Sequence, residues 1–139
     1  MARYLRHIDH IARIKQRDVL YLLFRDSSYS PELITFHEYE DDPNRADAIQ
    51  WLDSVGISWA PCFREADENS IRPYKGDIYL DVPFDLNDPD YQKLAEHFEL
   101  PDESNRIKGI YFCYFPLQEA MKNAHHDEPG FWDQWAENF

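Results

Sequence analysis

The chain has 139 residues, of which 43% are hydrophobic and 16% aromatic, enough material for one packed domain. Its formal net charge of −13 repels nucleic acid and anionic lipid, so neither is an expected direct partner. No run of roughly eighteen apolar residues is present to span a bilayer, and no apolar signal stretch opens the chain, so the expected location is the cytoplasm.

The charge is uneven. Residues 1–17 carry five basic side chains against Asp9, a balance of +4, which leaves −17 for the rest. Residues 3–17 predict a helix, because Tyr4, Leu5, Ile8, Ile11 and Ala12 share one face at 3.6 residues per turn. On the opposite face Arg3, Arg6, His10, Arg13 and Arg17 form a cationic stripe, with Asp9 directed away. That stripe reads as a solvated helix face, a dock for an acidic partner, or a surface lying against the chain's own acidic body.

Residues 19–24 are an unbroken apolar run, which suits a central strand buried on both faces. A turn ending at Pro31 precedes residues 33–39, expected to pair antiparallel with that strand. Asp42 and Pro43 then give a cap-plus-proline helix start, and Gly56 supplies the left-handed stop after Val55. Residues 57–63 predict a third strand, which Pro61 confines to an edge or a bulge. After a polar connection, Ile78, Leu80 and Val82 alternate with Tyr79 and Asp81, the pattern of a strand with one wet face.

Asp88 and Pro89 repeat the helix start, with Tyr91, Leu94, Ala95 and Phe98 as the apolar face and Pro101 as the stop. Residues 110–115 are a second unbroken apolar strand, followed by a helix from Leu117 to about residue 124. The tail, residues 129–139, places Phe131, Trp132, Trp135 and Phe139 among acids, an amphipathic helix too short to be stable alone. It must dock either on its own core or in a partner's groove. The predicted order is α-ββ-α-ββ-α-β-α, an α+β domain with a mixed or mainly antiparallel sheet of about five strands.

Chemistry-bearing motifs are sparse. Only four glycines occur, and no P-loop, G-x-G-x-x-G or G-x-S-x-G is present. His7 and His10 stand at metal-ligand spacing, but the surrounding arginines oppose a divalent cation. His125, His126, Asp127 and Glu128 are a ligand-rich run expected to form a solvated loop. Cys62 and Cys113 read as inert core thiols, and neither a metal nor a cofactor is expected.

The expected function is therefore a non-catalytic, acidic, aromatic-rich domain that binds a basic protein, as an immunity protein, antitoxin or inhibitor covers a nuclease toxin. Candidate contacts are Glu38, Glu40, Asp41 and Asp42 in one cluster, Asp77, Tyr79 and Asp81 in a second, and Trp132 and Trp135 in the tail. The alternative is a small enzyme or ligand-binding domain with a pocket of His37, Tyr39, Tyr79 and an aspartate.

Overall fold

A computed structural model describes residues 5–25, 39–64 and 74–137. Four strands form one antiparallel sheet: β1 (Val19–Phe24), β2 (Trp59–Pro61), β3 (Ile78–Leu80) and β4 (Ile110–Phe115), in the spatial order β2-β3-β1-β4. Among the described residues five α-helices accompany them: α1 (Ile8–Lys15), α2 (Pro43–Val55), α3 (Pro89–Phe98), α4 (Leu117–Met121) and α5 (Phe131–Glu137). The class is α+β, with four strands among the described residues where about five were predicted. Both edges of β1 are taken, by β3 and β4, where the sequence placed residues 33–39. Residues 33–38 of that expectation lie outside the described residues, and Tyr39 opens a 3-10 turn, Tyr39–Asp41.

The sheet is the middle of three layers. Leu20, Leu22 and Phe24 of β1 point with Ile78, Leu80 and Ile110 to one face, where Ala48 and Leu52 of α2 and Leu94 and Phe98 of α3 cover them. Val19, Tyr79 and Phe115 point to the other, under Ile8, Ile11 and Ala12 of α1 and Ala120 of α4. Covering on both faces explains why β1 carries apolar residues without alternation.

It also corrects the wet face predicted for β3. Tyr79 is 6% exposed and Asp77 3%, because α1 lies over that side and the guanidinium of Arg25 meets Asp77 at 2.8 Å. An alternating pattern does not distinguish water from a second helical layer that brings its own charge partner. The reverse correction applies to β4. Among the described residues it is an edge strand with Tyr111 and Tyr114 exposed, although an unbroken apolar run suits burial on both faces.

Local signals set the long helices. Asp42 Oδ1 accepts the Asn44 amide at 2.9 Å ahead of Pro43, and Gly56 ends α2 at φ +76°. Asp88 accepts the amides of Asp90 and Tyr91 ahead of Pro89. Each acid satisfies donors that the first helical turn leaves orphaned. Among the described residues no helix is long and apolar enough to cross a membrane.

Candidate functional site

The densest constellation of titratable groups lies where α1 meets the C-terminal segment. Helix α1 starts at Ile8 and not at residue 3, because residues 6–8 are drawn out alongside Phe63: its amide donates to the Arg6 carbonyl and its carbonyl accepts the Ile8 amide, both at 3.2 Å. Gln16 in the left-handed region, φ 53°, closes the helix. This short helix turns Asp9 and Arg13, one turn apart, into the protein.

Arg13 is 6% exposed and uses its whole guanidinium. Nη1 donates to Asp9 Oδ2 at 3.1 Å and to the Ala120 carbonyl at 2.8 Å. Nε and Nη2 grip the two oxygens of Asp127 at 2.7 and 2.8 Å. Asp9, fully buried, also accepts the side-chain amide of Asn123 at 3.1 Å, and His10 Nδ1 lies 2.6 Å from Asp127 Oδ1. Hydrogen bonding from Arg13, reinforced by His10, holds the Asp127 carboxyl down at about 2 against the opposing effect of burial.

The predicted cationic stripe is thus dismantled. Arg13 is inside, Asp9 is its partner where it was expected to face away, and Arg17 and Lys15 both reach Asp81, at 2.9 and 3.3 Å. His10, Arg13 and Arg17 of the stripe lie against the chain's own acids, the third of the readings open to it, whereas Arg6 is exposed and Arg3 lies outside the described residues.

The tail docks on this seam. A 3-10 helix, Ala124–Asp127, turns His126 inward to 2% exposure, where a solvated loop was predicted. His126 stacks on Phe131, centroids 4.6 Å apart, and Trp132 stacks on His7 at 4.8 Å with Trp135 edge-on behind it at 5.3 Å. Trp132 and Trp135, two of the predicted partner contacts, are half-buried, with Trp132 packed on His7 and His126 of their own domain.

Burial lowers the pKa of His7, opposed by the Asp9 charge and the Arg64 carbonyl and assisted by His126 and His10. A base whose folded pKa lies below its unfolded value of 6.5 adds stability in full above that pH and loses it as pH falls toward the folded value. Acidification below pH 6 is therefore expected to loosen the Trp132 stack before global unfolding, read as a tryptophan emission change. His7→Phe should remove that step; an unchanged titration in the variant would assign it to another group.

Three histidines and two aspartates converge here, a set of groups that resembles acid-base machinery, with Arg13 packed among them. Arg13 occupies the centre and takes the carboxylate oxygens, and neither principal surface hollow is lined by any of these residues. Among the described residues no three His, Cys, Asp or Glu side chains gather as metal ligands. Cys62 and Cys113 are free thiols, both pushed up by burial, Cys113 to about 11.

The larger hollow, about 650 Å³, lies between α1 and the β2 edge, and its walls include Arg6, Ile11, Ile14, Tyr39, Tyr74 and Tyr79. It brings together Tyr39 and Tyr79, two residues of the predicted pocket; His37 lies outside the described residues. The Tyr79 hydroxyl donates to Asp81 at 2.9 Å and that of Tyr74 to the Asp77 carbonyl at 2.7 Å. Burial pushes both phenols up to about 12, so at neutral pH they are hydrogen-bond donors and not bases.

Of the first predicted acidic cluster, Glu38 lies outside the described residues. Glu40 and Asp41 are exposed on the 3-10 turn and make no ion pair among the described residues, while Asp42 is committed to its cap. In the second cluster Asp77 and Tyr79 are buried, and the exposed Asp81 is held by Arg17 and Lys15. Comparisons with protein families, with characterised proteins and with solved structures find no match to this chain.

Proposed function

We propose that the chain is a non-catalytic protein-binding domain whose acidic surface engages a basic protein, in the manner of an immunity protein, antitoxin or inhibitor that covers a nuclease toxin. One observation carries the reading. Buried or bridging cations such as Arg13, Arg17 and Arg25 are consumed by the chain's own carboxylates, while Glu40 and Asp41 stand exposed and, among the described residues, make no ion pair. The uncompensated part of the −13 charge is therefore directed outward, where it steers a cationic partner and sets its approach.

In an extract of the native host the chain is expected to retain one basic protein at a stoichiometric ratio and to release it as salt rises. With that protein purified, Glu40→Lys together with Asp41→Lys should slow association about tenfold at low salt and flatten the salt dependence. Asp42 is left alone, because its carboxylate caps α2 and its loss alone costs about 1 kcal/mol. Unchanged kinetics would remove this turn from the binding face.

A second reading, a small-ligand pocket, is favoured by the hollow that unites Tyr39 and Tyr79, whose 650 Å³ is the size of a ligand site. Retention of no basic protein, together with a ligand-dependent rise in melting temperature, selects it over the first.

A further inference from the structure

On the far side of the sheet from α1, the edge strand β4 and the start of α3 carry an aromatic face left open to water. Phe84 is 37% exposed, Leu86 70% and Tyr114 53%, each large enough to be a liability unless something covers it. The rings brace one another. Phe84 stacks on Tyr91 with centroids 5.3 Å apart and planes 16° from parallel, and meets Tyr114 edge-on at 4.8 Å. Tyr91 in turn touches Phe112 at 6.3 Å, which roots the group in the core. Such a platform loses little conformational freedom when a partner settles on it.

Its surroundings are acidic. From residue 81 to residue 92 the chain holds Asp81, Asp85, Asp88 and Asp90 and no lysine or arginine. Asp85 adjoins Phe84 in sequence and Asp90 adjoins Tyr91; among the described residues the only ion pair of the two is a long, exposed one, Asp90 to Lys93 at 3.7 Å. At the other end, the negative charges of Glu99 and Glu103 reach the Tyr91 hydroxyl and, behind burial, help to raise its pKa. The outer edge of β4 has no strand partner among the described residues.

We propose that Phe84, Leu86, Tyr91 and Tyr114 form the seat for an arginine side chain of the basic partner, which stacks its guanidinium on an exposed ring and pairs with Asp85 or Asp90. The assignment rests on the reading of the chain as a binder of basic proteins. Arginine fits better than lysine because its planar, weakly hydrated cation lies flat on a ring and still presents donors at its rim to a carboxylate. A second copy of this chain would bring another −13, and nucleic acid or anionic lipid would meet the same repulsion.

The test is an amide NMR titration of the full chain with a hexa-arginine peptide and, separately, a hexalysine peptide. Hexa-arginine should shift the amides of Phe84, Leu86, Tyr91 and Tyr114, and should bind several-fold more tightly than hexalysine. Tyr114→Ala, an exposed change whose dispersed spectrum verifies the fold, should weaken it about fivefold, whereas the Glu40→Lys, Asp41→Lys pair should leave these shifts in place. Shifts centred on Glu40 and Asp41, or equal binding of both peptides with no effect of Tyr114→Ala, overturn the platform while leaving the acidic-binder reading intact. No response to either peptide overturns both.

Discussion

Replacing Arg13 with alanine is expected to cost about 3–5 kcal/mol of stability, measured by urea unfolding, because it strands buried Asp9 without a counter-ion. Against a typical total of about 5–15 kcal/mol for a domain, a loss of that size brings the chain near its folding threshold. The same side chain also bonds Asp127 and the Ala120 carbonyl, so the C-terminal 3-10 helix and the Trp132 stack on His7 should loosen with it. Arg13→Lys should recover less than half of the loss, since an ammonium is one point of charge and cannot span the four acceptor oxygens held by a planar fork. Removing the stranded charge as well, in Arg13→Ala with Asp9→Ala, should cost less than Arg13→Ala alone. A loss below about 1 kcal/mol for the single variant is the value of an exposed pair, and would show that water reaches Asp9.

This seam was the least legible part of the sequence. Asp9 and Arg13 are visible as a pair one helical turn apart, but nothing local distinguishes a solvated pair from one closed over by Asp127, 114 positions after Arg13. The start of α1 was misplaced for a related reason: the backbone of residues 6–8 is held by Phe63, a pairing that helical periodicity cannot register. The features that did read out were those whose cause is local. The Asp42-Pro43 and Asp88-Pro89 starts and the Gly56 stop fix α2 and the beginning of α3, since the cap and the orphan amides it serves lie within three residues. Strand β1 was legible because an unbroken apolar run needs cover on both faces. The same reasoning failed on β4, where tyrosine tolerates an edge position with its hydroxyl in water.

For the candidate contacts, sequence identified charge correctly and accessibility only in part. Glu40 and Asp41 stand out in solvent, whereas Asp77 spends its charge on Arg25, a residue that closes an apolar run and gave no sign of a partner 52 positions away. The acidic platform around Phe84 is not legible in the sequence, because its rings are contributed by a loop, a helix and a strand that meet only in the fold.

The Arg25–Asp77 pair separates stability from recognition. Both side chains are almost fully buried, with Arg25 Nη1 and Nη2 at 2.8 and 3.3 Å from the two Asp77 oxygens. Asp77→Ala should cost about 3–5 kcal/mol by urea unfolding, since it takes from a buried guanidinium the carboxylate that accepts from two of its nitrogens. Replacing the pair together, Arg25→Met with Asp77→Leu, should restore most of that loss, because two apolar side chains of similar size avoid the desolvation of both ions. The double change removes one charge of each sign, so the net charge remains −13 and the outward field is nearly unaltered. Association with the basic partner should then proceed at the wild-type rate with the wild-type salt dependence. A folded double variant that associates slowly would place Asp77 in the interface after all, and would mean that the layer over β3 opens when the partner arrives.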